Sequence, residues 1–397
     1  MQGRAIKFTI IYGKFLLVAM LVLCLFFFSG CWSRNEVEDL AILTGGCLDY
    51  VTENGQPMYK GVWLILKAPN GETSGSSGSS SQSPADITLQ GEGETFQDAL
   101  NDMDKQIPRK PIYTHHLFMI FGESIAREGL VKITEDFLRY PEVRPNGYQF
   151  VTRGKAAPFL EAKPLTVSNL YVQAKKQQAI AHITGVSRGV TSQEFCQWLL
   201  SPDRDPVLPQ MKWNEKSQIN SLIIEGFGVF RSDKLVGWLE KDEATGYLLL
   251  TENLKNIRIP LKFEFDNQIM SYYMGGSKYK IKAEMVKGRL YFQITVQTFG
   301  VFAENNNLHI TAQNVGSIEA AVGEKIKYLT LKTIAKTQEL DSDCLGLMQY
   351  LHRHNPSAWR EIKSDWRKAF REAEITVEIQ PKIVSEGALK QSFDLKN

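Results

Sequence analysis

The sequence is poor in cysteine, has almost no net charge and contains no apolar run as long as a membrane span. Its 397 residues include five cysteines, and 46 basic side chains nearly balance 44 acidic ones, which gives a net charge of +2. Cys47, Cys196 and Cys344 are odd in number and widely separated, so we expect buried single thiols and no disulfide framework. The charge balance gives no indication of nucleic-acid binding.

The longest apolar run, residues 15–28, lies close to the N-terminus. A helix that spans a bilayer needs about 20 apolar residues, so this run is short for a permanent anchor. A basic stretch that ends at Lys14 precedes the run, and two small residues, Ser29 and Gly30, follow it. Basic, apolar and small residues in this order are typical of a secretory signal peptide. We therefore predict that residues 1–30 are removed during export.

Cys31 follows the predicted cleavage site directly. Residues Phe28-Ser29-Gly30-Cys31 resemble the lipobox of bacterial lipoproteins, where leucine is usual at the position of Phe28. The resemblance implies an S-diacylglycerol on the Cys31 thiol and an N-palmitoyl group on its amino group. Two long acyl chains anchor a protein stably, whereas one chain binds only marginally. The alternatives are an ordinary signal peptide with an incidental cysteine, and a permanent span from Phe8 to Gly30.

The remaining sequence predicts a globular body with mixed helices and strands. Hydrophobic residues make up 43% and charged residues 23% of the chain, as in ordinary soluble proteins, and the length indicates two or three domains. An acidic and apolar mixture over residues 36–43 predicts a short amphipathic helix. Strands are expected over 48–51 and 59–66, with a turn at Asn54-Gly55, and residues 71–83 form a Gly/Ser-rich loop.

Further along, apolar spacing predicts a βαβ-like unit. Thr95 is placed to cap a helix, residues 117–122 suit a buried strand, and residues 123–140 carry helical spacing across Gly129. A strand at "YQFVTRG" completes the unit.

The second half of the sequence contains clearer strand signals. "SPDRDPVLP" predicts a proline-rich connector, and residues 224–239 predict a hairpin that turns at Ser232-Asp233. Several strands with a turn at Lys287-Gly288, a long helix, a second helix over 357–374 and a final alternating strand over 375–384 follow.

Several fragments resemble catalytic motifs without the context that the chemistry requires. "GVSRG" fits G-x-S-x-G with Ser187 as the candidate nucleophile, but a nucleophile elbow needs a preceding strand. "DSDCLG" begins like a calcium loop with Asp341, Asp343 and Gly346, yet His352 stands where a bidentate glutamate is required. "GEG" at residues 91–93 lacks the third glycine of a dinucleotide-binding fingerprint.

The histidines also lack metal-ligand spacing. His115 and His116 are adjacent, and His352 and His354 are two residues apart, so neither pair shares one face of a helix. We therefore predict that the protein is not an enzyme and has neither a metal nor a cofactor site. An envelope hydrolase that uses Ser187 is the minor alternative.

Six stretches of this sequence, spread over nearly its full length, resemble one known family. They are "CWSRNEVEDLAILTG", "THHLFMIFGESIAREGL", "SPDRDPVLP", "EGFGVFRSDKLVGWLEKDEATGYLLL", "DCLGL" and "WRKAFREAEITVEIQPKIVSEG". The family is the Ger(x)C family, the lipoprotein C subunits of nutrient germinant receptors in endospore-forming bacteria.

The resemblance implies an α+β protein with three mixed α/β domains, which we assign to residues 31–200, 201–275 and 276–397. It also implies a non-enzymatic subunit, required for nutrient-triggered germination, that assembles with two integral membrane receptor subunits of the A and B types. Lipid on Cys31 would hold it on the outer face of the cell membrane and on the inner membrane of the spore. The alternative function is a substrate-binding lipoprotein of a transporter, which requires two similar lobes around a cleft.

Overall fold

A computed structural model describes most of the chain beyond residue 38 and a few helical positions near the N-terminus. The described residues are 13, 14, 16–18, 20, 39–53, 55–66, 87–114, 116–139, 144–161, 170–214, 221–304, 311 and 313–385. Cys31, His115, residues 36–38 of the predicted 36–43 helix and the whole Gly/Ser-rich stretch 71–83 lie outside them.

Within that part of the chain, nine strands form a mixed sheet in the order β3-β2-β1-β5-β6-β7-β8-β9, and β4 pairs with β1. Strands β1, β5, β6 and β7 run parallel to one another, and the other neighbours along this path are antiparallel. The strands are β1 (Leu40–Glu53), β2 (Gln56–Leu66), β3 (Ile87–Gly93), β4 (Lys110–Ile112), β5 (Phe118–Phe121), β6 (Tyr148–Val151), β7 (Val207–Trp213), β8 (Leu222–Arg231) and β9 (Lys234–Leu239).

Both faces of this first sheet are covered. In β5, Met119 and Phe121 join one apolar cluster, while Phe118 and Ile120 join another on the opposite face. A strand that is buried on both faces has a continuous apolar sequence. This double burial explains why all four residues of β5, "FMIF", are apolar. The helices of this region are α1 (Phe96–Asp104), α2 (Glu123–Glu128), α3 (Val131–Leu138), α4 (Ala157–Glu161), α5 (Leu170–Ile183) and α6 (Ser192–Leu199).

The second sheet has four strands, in the order β10-β11-β12-β13. The first three are antiparallel and β13 runs parallel to β12. Its inner face packs against helices and its outer face is open to solvent. The elements are α7 (Asp242–Thr251), β10 (Lys255–Phe265), β11 (Gln268–Val286), β12 (Arg289–Glu304), α8 (Val315–Glu339), α9 (Leu347–His354), α10 (Pro356–Ile362), a 3-10 turn (Lys363–Asp365), α11 (Trp366–Glu372) and β13 (Glu374–Ser385).

Three predicted elements are wrong in part. Residues 40–43 begin β1 and are not helical; Ala41 and Leu43 are buried while Ile42 is less so, a period of two rather than 3.6. The predicted helix over 123–140 is two helices, because Gly129 has a φ of +132° and Leu130 N–H turns to donate to Asp233 O. The predicted 357–374 helix is interrupted by the 3-10 turn.

Other predicted elements are confirmed. Gly55 takes a positive φ in the β1–β2 turn, and the hairpin over 224–239 turns at Ser232-Asp233. Thr95 caps α1 by accepting a hydrogen bond from Asp98 N–H. The predicted connector at 201–209 is a loop only in its first part, since Val207 begins β7. The division into three domains remains a prediction, and its boundary at residue 275 lies within β11.

Candidate functional site

The "GVSRG" serine lies in the connection between two helices. Ser187 is fully buried between α5 and α6, and its Oγ donates to Gly226 O at 3.0 Å. A nucleophile elbow instead places its serine, with an exposed Oγ, on a turn from a strand into a helix. The motif therefore has a packing role at this position.

The calcium-like "DSDCLG" stretch lies directly before the helix α9. The carboxylate of Asp343 is completely buried and accepts hydrogen bonds from Leu347 N–H at 3.1 Å and Met348 N–H at 2.7 Å. Burial, which disfavours the charged form, raises the pKa of Asp343 to about 7 despite these two bonds. Asp341 pairs with Arg231 and Arg371. Asp341 and Asp343 therefore already have ion-pair or hydrogen-bond partners within the protein.

Asp205 connects distant parts of the chain at this point. The guanidinium of Arg367, on α11, binds its carboxylate in a bidentate pair at 2.7 and 2.8 Å. The same carboxylate accepts from Ser232 N–H at 2.7 Å and from Asp343 N–H at 3.1 Å. One buried side chain therefore joins the 201–206 loop, the β8–β9 turn and the C-terminal helices. We refer to Asp205, Ser232, Asp343 and Arg367 as the aspartate junction.

Residues next to the aspartate junction extend it. His352 Nδ1 lies 2.5 Å from an oxygen of Asp203, and the guanidinium of Arg204 lies over the ring of Trp198 at 4.6 Å. Asp203, Asp205 and Arg367 were not among the site residues predicted from the sequence. The one available signal was a pair of aspartates around an arginine in a proline-rich loop, and nothing in the sequence pointed to their partners.

The histidines are dispersed. His116 is buried against Phe137, with ring centroids 4.6 Å apart, and burial lowers its pKa to about 3. His354 stacks on Tyr350 on α9. No group of three or more His, Cys, Asp or Glu side chains in the described part of the chain is arranged to hold a metal ion.

A shallow cleft of about 310 Å³ opens beside β1, β2 and β3. Asp49 lies at its base and accepts hydrogen bonds from Ala156 and Ala157 N–H, while burial raises the pKa of Asp49. Lys60, at its rim, pairs with Glu53 and Glu92. Most charges around the cleft are therefore already paired within the protein.

The predicted lipidation site cannot be placed in this geometry, because Cys31 lies outside the described residues. Across the part of the chain that is described, no helix has both the length and the apolar character required to cross a membrane.

Comparison with known proteins assigns the family. The N-terminal family model, "Spore germination protein N-terminal domain", matches residues 33–212, and the model "Spore germination B3/GerAC like, C-terminal" matches residues 225–387. The chain belongs to the GerAC-like family of spore germination proteins. The aspartate junction thus links the N-terminal match, through Asp205, to the C-terminal match, through Ser232, Asp343 and Arg367.

Relatives of this GerAC-like chain cover almost its full length. It is 25% identical to spore germination protein B3 of Bacillus subtilis (strain 168), over 97% of this chain and 99% of that protein. It is 23% identical to the putative spore germination protein YfkR of the same organism, over 91% and 93%. The crystal structure of the GerBC protein superimposes with a TM-score of 0.54 at 20% identity, covering 85% of this chain and 97% of that one. The α+β fold expected from the sequence is confirmed.

Proposed function

We propose that this protein is a non-enzymatic, lipid-anchored subunit of a nutrient germinant receptor, required for nutrient-triggered germination. The observation that carries the proposal is the pair of family matches, which together span both halves of the body. Similarity to spore germination protein B3 over nearly the full length of both chains supports the same role. Two integral membrane subunits, of the A and B types, are the proposed partners.

Lipid attachment at Cys31 is the proposed means of localisation to the outer face of the cell membrane and the inner spore membrane. A signal-like apolar run and two small residues directly before Cys31 support it. Attachment would raise the effective concentration of the subunit near its membrane partners. The burial of Ser187 supports the non-enzymatic part of the proposal.

The experiment is nutrient-triggered release of dipicolinate from spores that carry Cys31→Ala, with a gene deletion as reference. We expect membrane association and the response to one nutrient class to fall in the variant and to be lost in the deletion. Cys24→Ala is the matched control, because Cys24 lies in the segment that cleavage would remove. Full response in both the deletion and the Cys31→Ala spores would contradict the receptor role.

The transporter alternative receives less support. It requires two similar lobes, whereas the described residues form a nine-stranded mixed sheet and a four-stranded sheet of different topology. The cleft beside Asp49 is at the lower limit of ligand-pocket volumes. Micromolar binding of an amino acid or sugar to the purified chain would favour that alternative.

A further inference from the structure

The outer face of the second sheet carries a row of lysines. Lys278, Lys280 and Lys282 alternate along β11 and are exposed, while Tyr279 and Ile281 between them pack towards the core. Alternate residues of a strand point to the same face about 7 Å apart. None of the three lysines is ion-paired with a carboxylate among the described residues. The row is therefore a line of positive charge without ion-pair partners in this part of the chain.

The residues opposite the three lysines on β12 are uncharged, and the nearest acidic residues, Glu284 and Glu374, lie beside the Lys282 end of the row. Lys280 is opposite Thr295 on β12, and Thr295 is opposite Glu378 on β13, so about two strand spacings, or 10 Å, separate Lys280 from Glu378. Glu378 instead accepts a hydrogen bond from Gln380.

Basic residues also outnumber acidic ones over the whole outer face. The basic residues of the face are Arg258, Lys262, Lys278, Lys280, Lys282, Arg289 and Lys382, and its acidic residues are Glu264, Glu284, Glu374 and Glu378. Because the whole chain has a net charge of only +2, this excess makes the outer face a distinctly basic surface. Two aromatic side chains, Tyr273 and the exposed Phe299, lie among the charges, and Arg258 stacks on Tyr273 at 4.3 Å.

We propose that this outer face docks against the headgroups of an anionic phospholipid bilayer. The inference rests on the proposed lipid attachment at Cys31, which would bring the body to the membrane but would not by itself fix its orientation. Lysines attract anionic lipid surfaces at short range, and aromatic side chains favour the interfacial region. The chain between Cys31 and Leu40 spans at most about 30 Å, so the anchored body stays close to the bilayer.

The same lysines have a second physical role that needs no lipid. Among the described residues, β10 pairs with β11 no further than Gly276. Beyond it, Leu254 O, the Asn253 side chain and the Tyr350 hydroxyl bind the edge of β11 as far as Ile281, and the rest of that edge, to Val286, pairs with no described strand. Lysines beside an open strand edge oppose the addition of a further strand. A role confined to this protection predicts no effect of lipid on the lysines, so the two roles can be separated.

The test uses the full chain reconstituted into vesicles of phosphatidylcholine alone or with added phosphatidylglycerol. Lysines are acetylated with limiting reagent, and labelling is measured at each position by mass spectrometry. We expect labelling of Lys278, Lys280 and Lys282 to fall about five-fold in the anionic vesicles and to recover at high salt. Lys363 and Lys368, exposed on the helices that cover the opposite face, should label equally in both.

Two triple variants with the same change in charge complete the design. Lys278→Gln/Lys280→Gln/Lys282→Gln should remove the protection of Lys262 and Lys382, whereas Arg360→Gln/Lys363→Gln/Lys368→Gln should leave it intact. Flotation with the vesicles reports membrane attachment separately. Flotation with no lipid-dependent protection, or protection of Lys363 and Lys368 instead, would overturn the proposed docking face while leaving the anchor. Loss of flotation with both vesicle types would overturn the face and the anchor together.

Discussion

The two sheets differ in how much of their surface the protein covers, and this difference governs what their sequences can contain. In the first sheet, every residue of β5 is buried and successive side chains enter separate apolar clusters. In β13 of the second sheet, Val377 is buried while Thr376 and Glu378 on either side are exposed. A doubly covered sheet excludes charge, whereas a half-open sheet can carry charge on its outer face without a cost in burial.

The aspartate junction is the most buried of the polar contacts described above between these two regions. Replacing Asp205 by Ala should lower the free energy of unfolding by about 4 kcal/mol, because Arg367 and two backbone N–H groups lose their shared acceptor. Asp205 is 1% exposed, so water cannot readily replace the lost carboxylate. Chemical denaturation of the purified chain measures the change.

The control for the junction is an ion pair of similar chemistry at the surface. The side chain of Arg371 is 50% exposed in its pair with Asp341, so Arg371→Ala should cost less than about 1 kcal/mol. Equal losses in the free energy of unfolding for the two variants would show that burial does not determine how much the aspartate junction stabilises the protein.

A matched pair of phenylalanines tests the contrast between the sheets directly. Phe150, on the central strand β6, is fully buried, whereas Phe299 on the outer face of the second sheet is 41% exposed. Phe150→Ala should cost about 3 kcal/mol by loss of burial and creation of a cavity, and Phe299→Ala less than about 1 kcal/mol. Thermal and chemical unfolding of both variants measure this, and similar costs would contradict the difference in burial between the two faces.

Asp343 should make the protein less stable as the pH rises. Its folded pKa is raised to about 7, so between pH 4 and pH 7 the folded state retains a proton that the unfolded state has lost. The stabilisation is therefore complete below about pH 4 and decreases as the pH rises through 7. Asp343→Asn, which does not titrate, should gain about 2 kcal/mol relative to the wild type between pH 5 and pH 7. Parallel pH slopes of the two proteins would contradict the raised pKa.

His116, just before β5 of the first sheet, should have the opposite pH dependence. Its folded pKa is lowered to about 3, so the wild type loses stability as the pH falls below about 6.5, where the unfolded histidine binds a proton. His116→Phe keeps an aromatic ring beside Phe137 and should gain about 2 kcal/mol relative to the wild type between pH 7 and pH 5. His354→Phe, on α9, controls for the loss of a histidine elsewhere, and an equal gain there would rule out burial as the cause.

Local sequence patterns correctly predicted those helices and strands that are marked by residues close to one another in the sequence. The alternation of Ile375, Val377 and Ile379 gave the last strand, and Thr95 gave the start of α1. The wrong prediction for residues 36–43 shows where local patterns fail. Their mixture of acidic and apolar residues is compatible with the period of a helix and with that of a strand. Pairing with β2 and β4, which the local sequence does not reveal, makes this segment part of β1.

Local sequence patterns could not predict the aspartate junction. Asp205 and Arg367 are 162 positions apart, so only the tertiary fold brings them together. The lysine row was not predicted either, because the open face on which it lies depends on how the helices cover the other face of the sheet.

One helix cap from each region provides the finest comparison between the regions. The side chain of Thr95 accepts from Asp98 N–H at 3.1 Å at the start of α1, and that of Asn355 accepts from Ala358 N–H at 3.2 Å at the start of α10. Thr95→Ala and Asn355→Ala should each cost about 1 kcal/mol, because each leaves a helix N–H without its acceptor. Thr95→Ser and Asn355→Asp retain an acceptor and should stay near the wild type in chemical denaturation. A cost confined to one region would show that the two helices differ in their dependence on local capping.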